Sequence, residues 1–539
     1  MPSAGSLATM LLVSPLAAAI LVLVPEPLTR LPWVHRWISE RVTHRFQDIV
    51  TVGASLVSLA LVFALAGTMT QTLHVRLWML HLYVDALSLY FVLLVNAVAL
   101  VASFYAGRSW ARRTGRSTLS RTAFYSLFNA FHFTMVLVPL VANLVVLWIG
   151  IELTTVTSTL LVAAERRREA FEAAWKYIVI TSTGIIFALL GTLFLARAIP
   201  SDQHPSMDWP DLVGSAGELN DDLVRLSFLF ILVGYGTKAG FAPMHTWLPD
   251  AHGEAPYPVS ALLSGVLLKS ALYAILRFYT ITNLALPDHG AFTSQMLLGA
   301  GLLSLVVSVP FILKSNRFKR ILAYHSLEHM GIITLGLGIG GPVALFGALL
   351  HVLNHGLTKS LMFLAYGNVQ DSYAGTEQAP ENREAASRSP TDVRGADPSV
   401  EPYGGVLRAM PVTGALLGFG GLALVGSPPF SIFLSEFLIL WGGVQQVLEK
   451  PSAGLIASLV VFVLSVTLIF GGLVRHLGRI LIGDPPSGVV RETWRQIVPL
   501  LFLLAVIVWL GFDVPAIGPL DLRQLLDDSV TIVCGGACP

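Results

Sequence analysis

Several ionisable residues lie inside stretches that are otherwise apolar enough to cross a membrane. They are Glu152 within LVVLWIGIELTTV, Lys238 within FLFILVGYGTKAG, Lys269 within ALLSGVLLKSALY and Glu436 within FSIFLSEFLIL. A charged side chain at the centre of a bilayer costs about 2.5–3.5 kcal/mol on insertion scales. Four such residues in one chain therefore indicate a function, and a path for ions or protons is the usual one.

The two lysines are the strongest candidates for proton exchange. A lysine that is buried away from water is poorly solvated in its charged form, so it can release its proton under working conditions. A nearby carboxylate such as Glu152 stabilises the charged form again. A change in the separation of Glu152 and Lys238 would therefore move a proton. The alternative is a static ion pair that only holds helices together.

Two histidine-containing segments extend this candidate path. In GALLHVLNHGLTKSLMFL, three groups spaced four residues apart share one helix face, namely His351, His355 and Lys359. In RILAYHSLEHMGIITL, three further groups lie on nearly one face, namely His325, Glu328 and His329. Histidine exchanges protons near neutral pH, so both segments are suited to a proton relay. Ordinary hydrogen bonding between helices is the alternative.

The HSLEH segment also matches a zinc-protease pattern, H-x-x-E-H. A catalytic zinc would need a third ligand and an open position for water. The match is only five residues long, and the surrounding charged groups fit ion conduction better. We therefore predict no bound metal and no cofactor.

Four polar residues follow the Lys238 stretch, and they are His245, Asp250, His252 and Glu254. They form either a cytoplasmic proton-access mouth or a solvated loop, and the sequence does not decide between the two.

The composition is that of a membrane protein. Of the 539 residues, 54% are hydrophobic and 12% are charged, and the mean hydropathy is +0.70. A soluble domain carries about 25% charged residues, so this chain lacks the polar surface that water requires. The net charge of +1 and the absence of a basic, aromatic-rich patch argue against a nucleic-acid partner. The two cysteines, Cys534 and Cys538, are too few for an iron–sulfur cluster or a cysteine-based zinc site, and their pairing stays open.

Segments of about 20 apolar residues predict an all-α polytopic membrane protein with about fourteen transmembrane helices. They lie near 6–24, 47–68, 84–106, 122–141, 143–163, 174–196, 226–243, 256–279, 291–313, 320–339, 343–368, 406–445, 454–474 and 496–514. Arginine and lysine concentrate in every second loop, beginning with Arg30 to Arg45 and Arg108 to Arg121. The positive-inside rule then places those loops in the cytoplasm and both termini on the other side of the inner (plasma) membrane.

Two of the spans are interrupted by glycine and proline. GTKAGFAP follows the seventh span, and VGSPPF precedes Glu436 in the twelfth. Interruptions at corresponding places in two halves of a transporter predict inverted repeats with the site near the midplane. Here the halves are two inverted five-helix repeats, in which Lys238 and Glu436 occupy equivalent broken helices.

The predicted organisation follows from these spans. An N-terminal three-helix region with its cytoplasmic loop occupies 1–121. The first repeat occupies 122–280 and the second repeat 291–476. The final helix and the C-terminal tail occupy 477–539. Within the second repeat, 371–403 is rich in Pro, Ala, Ser and charge, and is predicted to be a flexible cytoplasmic linker.

The longest motifs resemble those of a known family. GTKAGFAPMHTWLPDAHGEAPYPVSALLSGVLLKSALY, FKRILAYHSLEHMG and HVLNHGLTKSLMFLAYGNV are similar to segments of the antiporter-like membrane subunits of respiratory complex I, Mrp antiporters and group 4 hydrogenases. EAAWKYI and FLSEF resemble the hydrogenase-4 component F type in particular. The resemblance covers roughly 80–445 and implies a central hydrophilic axis for protons.

The resemblance also implies residue roles. Glu152 and Lys238 would be a coupled pair, Lys269 the central relay and Glu436 the exit-side group, with the histidines and Lys359 as connecting positions. The chain would act without a redox centre of its own, alongside membrane and peripheral subunits of an oxidoreductase complex. Two other contexts stay open, namely a transport subunit that energises inorganic-carbon uptake and a stand-alone cation/proton antiporter. The transported ion is H⁺ or Na⁺.

Overall fold

A computed structural model describes residues 3–24, 40–69, 71–77, 80–111, 117–200, 206–288, 290–374 and 403–536. Almost all of them are helical, as the sequence predicts. The predicted linker at 371–403 falls largely outside the described residues, although its first residues extend a long helix that ends at Tyr373. Cys534 is disulfide-bonded, and Cys538 lies outside the described residues.

The first half of the chain contains eleven helices in the described residues. They are α1 (Ala4–Leu21), α2 (Glu40–Thr68), α3 (Ala86–Ala111), α4 (Arg121–Leu140), α5 (Leu144–Val162), α6 (Arg168–Ala198), α7 (Trp209–Gly214), α8 (Asp221–Ala239), α9 (Trp247–Glu254), α10 (Tyr257–Leu262) and α11 (Leu268–Ala285). A π-helical turn, Leu263–Leu267, joins α10 to α11.

The second half continues with nine more in the described residues. They are α12 (Ala291–Lys314), α13 (Phe318–Ile339), α14 (Gly341–Tyr373), α15 (Val406–Ala409), α16 (Pro411–Leu424), α17 (Ser431–Glu449), α18 (Ala453–Leu481), α19 (Trp494–Phe512) and α20 (Leu522–Val533).

Both predicted helix breaks are present. Gly240 ends α8 in the left-handed conformation, with φ of 80°, and a short irregular segment leads into α9. Gly426, with φ of 66°, lies between α16 and α17. Lys238 precedes its break whereas Glu436 follows its own, so the correspondence between the two broken helices does not extend to the positions of these residues.

Three features were not predicted from the sequence, namely two short strand pairs and one amphipathic helix. Leu73–Leu77 (β1) and Leu80–Val84 (β2) form an antiparallel hairpin, and Ala516–Ile517 (β3) pairs with Leu520–Asp521 (β4). The amphipathic helix α20 lies in what the sequence treats as a tail. Its Leu522, Leu525 and Leu526 recur at helical spacing and are buried.

Twelve helices of the described residues are long and apolar enough to cross a membrane. The helices α13 and α14 are also long, but they carry the histidines and Lys359 and are less apolar. The predicted fourteen spans all coincide with helices, and the exact number that cross the membrane stays a prediction.

The burial of the helices shows where a polar path can run. The apolar window of Tyr257–Ala285, which spans α10 and α11, is 100% buried, whereas that of α18 is 28% buried. Close packing around the centre depends on small residues, because Gly234 of α8 lies directly against the backbone of Ala188 in α6. Lys269 therefore lies on a fully enclosed helix, whereas Glu152 and Glu436 lie on helices whose apolar windows are only 50% and 39% buried.

Candidate functional site: a buried polar row

Lys238 is held by two hydroxyl groups. Its Nζ donates to Thr155 Oγ1 and to Tyr177 Oη, each at 2.7 Å, and Lys238 is fully buried in the last turn of α8. The ammonium group also lies 4.8 Å from the centre of the Tyr177 ring, which suits a cation–π contact. Tyr177 Oη in turn lies 2.8 Å from Ser158 Oγ.

Glu152 is linked to Lys238 through Thr155. The carboxylate of Glu152 accepts from Thr155 Oγ1 at 3.3 Å and from Ser182 Oγ at 2.7 Å, and its side chain is only half-buried. In the described part of the chain, Lys238 has no direct ion-pair partner. The predicted Glu–Lys pair is therefore a hydroxyl-bridged pair, and the static ion pair that the sequence left open is not what the structure contains.

Lys269 lies directly after the π-helical turn. Its Nζ donates to the carbonyl oxygen of Ser264 within that turn, at 2.5 Å. Ser264 Oγ lies 2.7 Å from Ser326 Oγ, so the turn also contacts α13 next to His325. The wider winding of a π turn is frequently found at functional sites.

The histidines of α13 and α14 meet in one cluster. His329 Nδ1 lies 2.9 Å from His351 Nε2, and His351 Nδ1 lies 3.0 Å from Ser435 Oγ of α17. His325 Nδ1 lies 2.7 Å from Glu328 Oε2. All of these side chains are buried.

His355 and Lys359 extend the cluster along α14. The rings of His355 and His329 are 4.6 Å apart, and neither ring nitrogen of His355 has a hydrogen-bond partner in the described chain. Lys359 Nζ donates to the carbonyl oxygen of Leu322 and interacts electrostatically with Glu328. A buried imidazole nitrogen without a protein partner is free to bind water or a proton.

Glu436 lies beside the histidine cluster. Its carboxylate comes within 4.8 Å of ring nitrogens of His329 and His351. Gly426 makes room for it, because a Cβ at that glycine would overlap Glu436 Oε2. The break before α17 therefore positions this carboxylate.

Within the described residues, two sets of side chains could hold a metal ion. The first set is His325, Glu328 and His329. The second set is His329, His351 and Glu436, so His329 belongs to both. The donor types suit zinc. A metalloprotease also needs an open position that substrate reaches, and these side chains are at most 8% exposed. Their chemistry suits proton transfer between neighbours better than hydrolysis of a substrate.

Three of the predicted access residues lie on the helix α9 rather than in a loop, and His245 lies in the short 3₁₀ turn Met244–Thr246 before it. Asp250 pairs with Arg320 at 2.5 Å and with Lys176 at 3.4 Å, and Glu254 pairs with Arg167 at 2.6 Å. His245 and His252 are buried, and neither nitrogen of His252 has a hydrogen-bond partner in the described residues.

Trp247 lies between Tyr177 of the Lys238 group and His252 of α9. Its ring is 4.7 Å from that of Tyr177 and 6.3 Å from that of His252, and its indole nitrogen donates to the carbonyl oxygen of Thr237. The buried polar row, from Glu152 to Glu436, thus has two parts. One part surrounds Lys238, next to Trp247, and the other runs from Lys269 to Glu436.

Sequence reasoning missed the hydroxyl groups that connect the charged ones. Thr155, Ser158 and Tyr177 surround Lys238, and Ser435 holds His351. Their spacing gives one usable signal, because Thr155 lies three residues after Glu152 and so shares its helix face. Ser435 directly precedes Glu436 but carries no such signal.

Comparisons with known proteins identify a matching family and a similar curated protein. The family described as "NADH:quinone oxidoreductase/Mrp antiporter, TM" matches residues 141–469. A protein named hydrogenase-4 component F homolog, from Methylacidiphilum infernorum, is 37% identical over 410 residues, which cover 75% of this chain and 79% of that protein.

Solved structures show the same fold. The chain is similar to one in the membrane-bound sulfane sulfur reductase, an archaeal respiratory membrane complex, with a TM-score of 0.79, 20% identity, and coverage of 98% of this chain and 97% of that one. A chain of respiratory complex I from Thermus thermophilus gives a TM-score of 0.75 at 20% identity, covering 98% of this chain and 99% of that one. The motif resemblance is thus confirmed.

Proposed function

We propose, given that this chain belongs to the NADH:quinone oxidoreductase/Mrp antiporter transmembrane family, that its buried row carries protons across the membrane within an oxidoreductase complex. The chain is an antiporter-like membrane subunit of the hydrogenase-4 and complex I type. Electrons would pass through partner subunits, and proton movement through this one.

The observation that carries the proposal is the setting of Lys238. A buried lysine in a static ion pair is expected to touch a carboxylate directly, since the attraction must offset the loss of hydration. Lys238 instead donates to Thr155 and Tyr177, and each hydroxyl can accept one proton while it releases another. Loss of a proton from Nζ through Thr155 reaches Glu152 without movement of the backbone.

The second part of the row offers the same chemistry with imidazoles. A histidine can take a proton on one ring nitrogen and release it from the other. His329, His351 and Ser435 form a hydrogen-bonded series, with the carboxylate of Glu436 close by. Lys269 would feed this series, because its π turn contacts α13 through Ser264 and Ser326. His245 and His252, with Asp250 and Glu254, would be the access mouth.

Removal of Lys238 tests the proposal. In the purified intact complex in vesicles, Lys238→Ala and Glu152→Ala are each expected to abolish proton translocation while the chain still inserts and assembles. Lys450→Ala is the matched control, because Lys450 is exposed at the end of α17. Proton translocation unchanged in Lys238→Ala would remove the relay. Replacement of Na⁺ in the buffer separates proton from sodium transport.

The orientation is also a proposal. The arginine-rich loops would face the cytoplasm and both termini the opposite side of the plasma membrane. Reporter fusions active only outside the cytoplasm are expected to be inactive at Leu23, which follows the first span, and active at Gly535 in the C-terminal tail.

A further inference from the structure

A buried ion pair that the proposed relay does not use lies between Asp85 and Arg277. The two guanidinium nitrogens of Arg277 donate to the two carboxylate oxygens of Asp85 at 2.7 and 2.8 Å. Both side chains are at most 2% exposed. Ser88 completes the arrangement, because its backbone N–H donates to Asp85 and its hydroxyl accepts from Arg277, each at 2.8 Å.

This pair lies at the end of the bundle opposite the arginine-rich loops. Asp85 directly precedes α3, and Arg108 lies in the last turn of the same helix. At 1.5 Å per residue, the two ends are about 35 Å apart, which is the thickness of a membrane core. Asp85 and Arg277 therefore belong to the non-cytoplasmic end if the arginine-rich loops are cytoplasmic.

The pair shares one helix face with Lys269. Lys269, Tyr273 and Arg277 are spaced four residues apart in α11, so their side chains lie above one another. Lys269 and Tyr273 line the same narrow internal cavity. Tyr273 Oη accepts from Arg277 Nε at 2.9 Å and lies 3.1 Å from Ser88 Oγ.

Beyond the pair, polar groups continue toward the surface. The guanidinium of Arg277 lies 4.3 Å from the centre of the Trp209 ring, and Trp209 Nε1 donates to the carbonyl oxygen of Arg277 at 3.0 Å. Next to Trp209, Asp208 Oδ2 lies 2.6 Å from His81 Nδ1. The side chains of His81 and Asp208 are 19% and 21% exposed.

We propose that Asp85 is a proton-exchange site that connects Lys269 to the surface at this end of the chain. This inference rests on the proposed function. An N–H bond at Lys269 breaks and an O–H bond at Asp85 forms, with Tyr273 and Ser88 as the intervening hydroxyls. Lys269 is then a neutral amine, Asp85 a neutral acid, and Arg277 keeps its charge.

The second step restores the ion pair. The O–H bond at Asp85 breaks, the proton passes to the imidazole of His81, and the carboxylate returns to Arg277. His81 then releases the proton to the solvent. Trp209 and the Arg277 side chain separate the two steps, which limits backflow from the surface.

A purely structural pair would behave differently on substitution. Removing one partner leaves an uncompensated buried charge, whereas neutral replacement of both partners is often tolerated. The informative variant is therefore the double one, Asp85→Asn with Arg277→Gln, because it keeps hydrogen-bonding groups and removes both charges.

The chain provides a matched control at its other end. Arg121 donates to Asp48 at 2.7 Å, and Tyr125 donates to the same carboxylate, so aspartate, arginine and tyrosine meet there as well. In the intact complex in vesicles, the Asp85→Asn/Arg277→Gln variant should assemble and lose translocation about 100-fold, the scale of one positioned proton-transfer group. Asp48→Asn/Arg121→Gln should keep it.

Three outcomes decide whether Asp85 is a proton-exchange site. Normal translocation in the assembled Asp85→Asn/Arg277→Gln variant overturns the exchange site and leaves a structural pair. If that variant does not assemble, His81→Gln at the partly exposed mouth gives the answer, since a slowed rate supports the path and an unchanged rate overturns it. Lys238→Ala measured alongside distinguishes the two proposals, because normal translocation there defeats the proposed function itself.

Discussion

Thr155 is the residue at which the relay can be tested most finely. Its hydroxyl accepts from Lys238 and lies within hydrogen-bonding distance of Glu152, so it is the bridge between the two groups. Thr155→Val keeps the size and the β-branched shape of the side chain and removes only the hydroxyl. Lys238 would retain its hydrogen bond to Tyr177.

The expected magnitude follows from the lost hydrogen bond. A hydrogen bond to a charged group contributes about 1.5–3 kcal/mol. Since about 1.36 kcal/mol changes a rate tenfold, translocation should slow between about 10-fold and about 150-fold if this bond lies on the path. Insertion and assembly should be normal, because the substitution leaves no cavity.

Thr154→Val is the control. Thr154 is buried in the same helix, and its hydroxyl donates to the carbonyl oxygen of Ile151 in its own helix. Protons translocated per turnover of the complex would be measured with a pH-sensitive dye in vesicles. Equal rates for Thr155→Val and Thr154→Val would refute the idea that a hydroxyl joins Lys238 to Glu152.

Three further predictions concern packing and metal. Gly426→Ala should displace the Glu436 carboxylate and lower translocation by about tenfold, as expected for about 1–3 kcal/mol of overpacking. Gly518→Ala is the control, because Gly518 also has a positive φ but has open surroundings, and it should not lower translocation. Equal translocation in both variants would contradict the role given to the break before α17. Gly234→Ala should push α8 away from α6 and lower the thermal unfolding midpoint of the complex. Gly299→Ala is the control, because Gly299 has open space around it, and its higher helix propensity should raise the midpoint slightly. An unchanged midpoint in Gly234→Ala would show that the close contact between α8 and α6 is not needed. Elemental analysis of the purified complex should find no zinc bound through His329. One equivalent of zinc that is lost in the His329→Gln variant would instead favour the metalloprotease.

The sequence was sufficient to predict the charged part of the site. Lys269 and Glu436 stand out because a charge within an apolar span is expensive, and this holds whatever the neighbours are. The two helix breaks were predictable for a similar reason, since GTKAGFAP and VGSPPF contain residues that cannot continue a regular helix. The roles of these residues in translocation stay predictions.

The connecting groups were not predictable from one sequence. Hydroxyl side chains in apolar helices usually donate to their own backbone, as Thr154 does, so only the three-residue spacing from Glu152 separates Thr155 from it. The sequence also gives no signal that Arg277 is part of a buried pair, because its partner Asp85 lies 192 residues away in the chain. Long-range pairs of this kind appear only when the helices are packed.

The hairpin and α20 were missed for different reasons. The alternation in β1 is short and lies between two strong spans, where a connecting loop is the default expectation. By contrast, LRQLLDDSV has a clear helical period, so the amphipathic helix could have been recognised.

The π-helical turn at Leu263–Leu267 has a consequence for how this protein tolerates insertions and deletions. A π turn holds one residue more than the α-helical path it replaces. Loss of a single residue there would let α10 and α11 merge into one regular helix and would leave α11 facing the same way. Gain of one residue would instead rotate all of α11 by about 100°. Lys269, Tyr273 and Arg277 would then turn together into the neighbouring apolar side chains. A one-residue deletion in this segment should thus be far better tolerated than a one-residue insertion.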